Sequence, residues 1–196
     1  MLKKYRAIKL CLVTFIFAIL MSSLSCSPYI VKRVNSNFEE IRIIRGIARF
    51  SFEYISDWKL GPFESQKDYT LFTLHGQSTT WSLLVEPTGK EFLNDEAALE
   101  HDFSYWSKQL NFNLIEQSSI TVDGVQGTQI IFTYYYAQLP LPQGGSGGPP
   151  VPTTVRDIYF TQNGLIWSME IYSKSEAAQK NNEYYDHLLQ TFKILN

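Results

Sequence analysis

Polar and apolar residues alternate along much of the chain after residue 40, and in two places the alternation gives way to helical spacing. Arg49 to Tyr54 alternates polar and aromatic side chains, so a strand here turns Phe50, Phe52 and Tyr54 to one buried side. Tyr69 to Leu74 and Thr79 to Val85, rich in β-branched and large apolar residues, flank Gly76 and predict a hairpin. Leu114 to Val122 and Thr128 to Ala137 flank Asp123-Gly124 and predict a second. A third joins Val155 to Thr161 with Leu165 to Tyr172 through Gln162-Asn163-Gly164, where Asn-Gly between apolar runs is the strongest short-range hairpin signal.

The first helix is expected from Asp95 to about Asn111. Asn94 can cap it, Asp95 and Glu96 suit the positive end of its dipole, and Leu99, Phe103, Trp106 and Leu110 recur at helical spacing. The second is expected from about Lys174 to Phe192, with Ser173 and Glu176 as a capping box and Tyr185, Leu188 and Phe192 on one face. These elements predict an α+β fold, an antiparallel sheet of about six to seven strands sandwiched between helices.

Two stretches depart from this pattern. Residues 26–40 show no sustained period and read as a tether before a domain spanning 41–196. Leu139 to Pro152 is rich in proline and glycine, which disfavours a central strand. Because strands continue on either side, it reads as an insertion at a hairpin tip rather than a linker.

The N-terminus has the three parts of an export signal: basic Lys3, Lys4, Arg6 and Lys9, apolar Leu10 to Met21, then Ser22, Ser23 and Ser25 around Leu24. The apolar run is too short for a spanning helix, which needs about 20 residues. Residues 1–25 are therefore expected to be removed. Cys11 would leave with them, making Cys26 the sole thiol of the exported chain and excluding an internal disulfide. Cys26 follows a small residue, as in bacterial lipoprotein signals where that cysteine is acylated, although Leu24 stands one place later than the usual leucine. Ser23 and Ser25 equally fit ordinary cleavage, which would release a soluble chain with a free thiol. The lipid-anchored reading is preferred because it accounts for the cysteine, and it places the domain on the outer face of the bacterial cytoplasmic membrane or another envelope membrane.

Cleavage would remove four of the 17 Lys and Arg and none of the 19 Asp and Glu, leaving 13 against 19, a formal −6. That balance argues against nucleic acid as a partner. The 171 residues from Cys26 onward suit one domain, with aromatic content enough for a core.

The opening Phe50-Ser51-Phe52-Glu53-Tyr54 with Trp58, the helix leading to the Asp123-Gly124 hairpin, and the closing helix ending Thr191-Phe192-Lys193-Ile194-Leu195 resemble the PsbP and Mog1-like superfamily over roughly residues 46–196. The resemblance implies an antiparallel sheet between helices. It also implies the relatives' shared property, which is binding partner proteins without catalysis. Those relatives include an extrinsic photosystem subunit, a nuclear import factor contacting a small GTPase, and bacterial lipoproteins.

Candidate chemistry is sparse. No Gly-x-Ser-x-Gly elbow, His-Glu-x-x-His pair or phosphate-cradling loop occurs, so no catalytic residue, metal site or cofactor is assigned. His101 and Asp102 are adjacent on a helix and point about 100° apart, which does not suit one metal. His75 and His187 lack a second ligand nearby in sequence. Asp57, Glu86, Glu116, Asp157 and Glu170 lie on or beside predicted strands and read as outward polar positions. A carboxylate pair among them would support the alternative of an envelope enzyme or small-ligand binder.

Tyr134-Tyr135-Tyr136 sends its first and third rings to one face. With Leu139 and Leu141 of the insertion, Tyr134 and Tyr136 form the expected partner-binding surface. The functional expectation is a non-catalytic protein-binding or assembly module, held to a membrane through Cys26, its partner unidentified.

Overall fold

The computed structural model describes residues 27–136 and 149–195. In chain order the strands are β1 (Tyr29–Arg33), β2 (Phe38–Ile43), β3 (Phe50–Ile55), β4 (Lys59–Ser65), β5 (Thr70–His75), β6 (Thr79–Pro87), β7 (Asn113–Val122), β8 (Val125–Tyr136), β9 (Val151–Gln162), β10 (Leu165–Lys174) and β11 (Lys193–Ile194). The helices are α1 (Asp95–Trp106), between β6 and β7, and α2 (Ala178–Thr191), between β10 and β11.

The strands form two antiparallel sheets. One has seven strands in the order β4-β5-β6-β10-β9-β8-β7, and the other four in the order β1-β2-β3-β11. The chain is α+β as expected, and the large sheet has the expected size. Its two coverings differ: α1 lies on one face, while the small sheet and α2 cover the other.

Between the sheets, alternation does what the sequence predicts. Phe50, Phe52 and Tyr54 of β3 are all buried, facing Phe72 of β5, Trp81 of β6 and Trp167 of β10. The Phe52 and Trp81 rings sit 4.9 Å apart and those of Phe50 and Phe192 5.8 Å apart. Rings packed at these separations add to the burial of their area. Tyr185, Leu188 and Phe192 close this core from α2, and the Tyr185 hydroxyl donates to the Met169 carbonyl at 3.0 Å.

The turns follow their chemistry. Asp123-Gly124 and Asn163-Gly164 each hold two positive φ angles, 48° and 81° in the first and 54° and 71° in the second. That is the two-residue turn matched to strand twist. Asp123 also accepts from the Lys193 ammonium at 2.8 Å and from the Ile194 amide at 2.9 Å, tying the last strand to the β7–β8 turn.

Four details depart from the sequence expectations. Residues 29–33 and 38–43, expected in a tether or at the domain's start, pair as the β1–β2 hairpin of the small sheet. β4, not among the expected elements, contains Gly61-Pro62 and is an edge strand whose register shifts between Leu60 and Phe63, where an edge tolerates proline. α1 stops at Trp106, and Leu110 is exposed rather than on its apolar face. Ser173 does not cap α2: its hydroxyl meets Thr79 and the Asn181 amide inside the fold, and a short 3-10 turn over Ser175–Ala177 starts the helix instead.

Candidate functional site

α1 decides what can happen on its side of the large sheet. The Asn94 side chain accepts from the Ala97 amide at 3.0 Å, which satisfies a free N–H of the first turn. Thr161 of β9 accepts from the Asp95 amide at 3.2 Å and donates to the Asp95 carboxylate at 2.8 Å, fixing the helix start over β9. Leu99, Phe103 and Trp106 then pack on Ile130, Phe132, Tyr134 and Val155. The helix covers the middle of the sheet and leaves a recess at each end.

At its C-terminal end lies a groove of about 630 Å³, whose walls include Tyr105, Trp106, Tyr134, Tyr136, Tyr172 and Lys174. The Trp106 ring is 5.4 Å from that of Tyr134 and 5.8 Å from that of Tyr172. The Tyr135 amide donates to the Leu110 carbonyl at 2.8 Å, which fastens the segment after α1 to the end of β8 and fixes the groove wall. Tyr134 and Tyr136 thus share the α1 side of β8 and both reach the groove, Tyr134 buried at its base and Tyr136 51% exposed at its mouth. Burial pushes the Tyr134 hydroxyl up to about 12, so it stays a neutral donor. Tyr135 points away, toward the other face. Leu139, Leu141 and Cys26 lie outside the described residues.

Beneath α1 the strand carboxylates behave differently from the sequence expectation. Asp57 and Glu116 are exposed as predicted, whereas Glu86 and Asp157 are buried. Asp157 and Glu170 are direct cross-strand partners on β9 and β10. Burial, reinforced by the facing Glu170, holds the Asp157 carboxyl well above the usual range. Burial likewise pushes Glu170 up to about 8, Asp102 adding to the shift while the Tyr172 hydrogen bond opposes it.

Tyr159 connects this pair to the helix. Its hydroxyl lies 2.6 Å from Asp157 Oδ2 and 2.8 Å from Asp102 Oδ2. A hydroxyl has one proton to donate, so both contacts are hydrogen bonds only if one carboxyl carries its own proton. Asp157, enclosed and facing another acid, is that carboxyl. The chain of bonds runs from the Asp157 acid to the Tyr159 oxygen, and from the Tyr159 proton to Asp102. Asp102 also meets His101 Nδ1 at 3.1 Å, so these neighbours do converge on each other.

The remaining histidines are apart. His75 contacts Thr80 at 3.3 Å and His187 contacts Glu53 at 2.9 Å. Among the described residues, no group of three or more His, Cys, Asp or Glu is placed to hold a metal ion. A smaller cavity of about 160 Å³ opens at the other end of α1, between it and strands β6 and β10. Sequence reasoning missed both recesses, since Trp106 read as plain core and Tyr105 and Tyr172 carried no signal of their own.

No protein-family model matches the chain. No curated protein sequence matches it either. Solved structures do. The cyanobacterial PsbP of Synechocystis sp. PCC 6803 aligns over 84% of this chain and 96% of its own, at 10% identity and a TM-score of 0.52. LpqN of Mycobacterium tuberculosis, involved in cell envelope biogenesis, aligns over 83% of this chain and 93% of its own, at 13% identity and a TM-score of 0.46. The Saccharomyces cerevisiae Ran-binding protein Mog1p aligns over 83% and 97%, at 11% identity and a TM-score of 0.47. Likeness at these identities speaks to architecture alone, and on that ground the chain has the PsbP/Mog1-like fold.

Proposed function

We propose that this chain is an exported, lipid-anchored domain that captures a protein partner in the aromatic groove at the end of α1 and performs no catalysis itself. The groove is the observation that carries the reading. Tyr and Trp are enriched in binding patches because each combines a large apolar body with a polar tip, and Tyr105 and Tyr136 are left 58% and 51% exposed. A recess of about 630 Å³ accommodates side chains of a docked segment. Tyr136 and Val151, which line it, bracket in sequence the segment that carries Leu139 and Leu141.

Charge supports the anchored placement. Residues 27–49, the stretch next to Cys26, carry five Lys and Arg against two Glu, while the rest of the exported chain carries eight basic against 17 acidic residues. Ile30, Val31, Val34 and Ile44 are exposed in the same stretch. A basic, apolar patch next to the acylated residue suits an anionic lipid surface. Among the described residues, no helix is long and apolar enough to cross a membrane.

The test is a photo-cross-linking amino acid placed at Tyr136 and, separately, at Tyr135 on the opposite face, in living cells. One partner captured from position 136 and absent from 135 is expected, with loss of capture when 139–152 is deleted. Equal capture from both positions overturns the groove. The intact mass of the membrane-extracted chain tests the anchor independently: an unmodified Cys26 in the soluble fraction removes it.

A further inference from the structure

We propose that the outward face of the β1–β2 hairpin seats on an anionic lipid bilayer by itself, its isoleucines entering the headgroup layer and its arginines meeting the phosphates. The inference rests on the exported placement of the domain and does not need an acyl group on Cys26.

Register brings these side chains together. In β2, Ile41 and Ile43 are fully buried in the core between the sheets, so Arg42 and, one residue past the strand, Ile44 turn outward, and both are exposed. Ile30 of β1 pairs directly with Arg42 and is 54% exposed. The Ile44 amide donates to the Pro28 carbonyl at 3.1 Å, which carries the pairing one step further. Ile30, Arg42 and Ile44 therefore form one strip, since directly paired side chains start about 5 Å apart. Arg45 and Arg49 are exposed in the connection to β3, at the same end of the hairpin.

The acids of this stretch are occupied elsewhere. Glu39 accepts from the Tyr54 hydroxyl at 2.8 Å, and Glu40 pairs with Lys32 nearer the other end of the hairpin. Among the described residues, Arg42, Arg45 and Arg49 take part in no ion pair. A bilayer fits this mixture better than an acidic protein does. Arginine lays its carbon stem along apolar surface and keeps its charged head at the polar boundary, which suits bases interleaved with isoleucines. β1 is also reached from Cys26 in three residues, so the strip lies where the chain would meet an anchoring membrane. From residue 50 onward the chain carries eight Lys and Arg against 17 Asp and Glu, a balance that an anionic surface repels. The hairpin belongs to the sheet that covers the large sheet opposite α1, so docking through it turns the aromatic groove away from the lipid.

The experiment is vesicle flotation of the exported chain, residues 26–196, carrying Cys26→Ser so that no acyl group can be attached. Flotation is expected with phosphatidylcholine vesicles containing about one-third phosphatidylglycerol, with none on phosphatidylcholine alone and release in about 1 M NaCl, where charges are screened within about 3 Å. Each base near an anionic surface is worth about fivefold, so Arg42→Glu with Arg45→Glu is expected to weaken binding at least about twentyfold. Lys90→Glu with Lys108→Glu, the same charge change in the segments flanking α1, is expected to leave it within about twofold. A polarity-sensitive fluorophore on Ile44→Cys is expected to shift to the blue with the anionic vesicles, and one on Tyr136→Cys to stay unchanged. Should the arginine reversal fail to fold, the fluorophore pair alone decides. Equal flotation on neutral vesicles, equal losses from the two double reversals, or equal shifts at positions 44 and 136 would each overturn the proposal. Partner capture at the groove and the mass of Cys26 are read in separate experiments, so failure here leaves both standing.

Discussion

On β10, Trp167, Met169 and Ile171 face the small sheet, while Ile166, Ser168, Glu170 and Tyr172 face α1. β9 divides the same way, with Ile158 and Phe160 on one side and Asp157 and Tyr159 on the other. The first side is a continuous aromatic core: the Phe160 and Trp167 rings stack 5.8 Å apart and Trp167 meets Phe192 at 5.9 Å. The second is broken by an acidic strip between two recesses. The same strands therefore carry a face that stabilises the fold and a face that holds acids pushed toward their neutral form. A facing acid pair beneath a helix, with Asp157 fully buried, does not arise from the demands of packing, since apolar residues of similar volume would be as stable or more so.

The largest effect comes from the apolar face. Trp167→Ala empties the centre of the core and is expected to cost about 3–5 kcal/mol, a large share of a stability of about 5–15 kcal/mol. Urea denaturation measures it. A loss below 1 kcal/mol would show that the two faces are energetically alike and break the comparison.

Three residues further along β10 the sign reverses. Glu170 has a folded-state pKa of about 8, above its ordinary 4.5, so the folded chain holds a proton that the unfolded chain has released between those values. The favourable contribution of that proton is complete below pH 4.5 and is lost as pH rises toward 8, at up to about 1.4 kcal/mol per pH unit. Glu170→Gln is expected to stabilise the chain at pH 8 by about 1–3 kcal/mol and to flatten this slope. Denaturation at pH 5, 6.5 and 8 measures both. A variant with an unchanged slope would assign the proton to Asp157 alone.

The sequence made one face legible and concealed the other for a single reason. Alternation shows which side of a strand is apolar, and for Phe50, Phe52 and Tyr54 that side is the core. It implies that the other side is wet, and Asp157 and Glu170 read as outward on that assumption. α1 covers that side, a tertiary fact that no local pattern holds. The edges were obscure for a related reason. Four of the five residues of β1 are exposed, so Tyr29 to Arg33 has no period to read, and Pro62 disguises β4. The Asp-Gly and Asn-Gly turns were legible because their chemistry is local and depends on backbone angles alone.

The smallest expected effect on stability is the one that bears most on function. Tyr136 sits at the end of β8, half exposed, and touches no buried cluster in the way Tyr134 does. Tyr136→Ala should therefore change stability by less than about 0.5 kcal/mol. The same truncation removes aromatic surface from the mouth of the groove, where an anchor ring is commonly worth about 2 kcal/mol or more in binding. Tyr135 supplies the control, being the same residue type one position away, 40% exposed, on the opposite face. If Tyr136→Ala abolishes in-cell cross-linking to the partner while Tyr135→Ala preserves it, and both melt as the parent chain does, the α1 face is the binding face. Equal losses from both would mean that capture depends on the end of the β8–β9 hairpin as a whole, and the distinction between the two faces would then hold for stability but not for recognition.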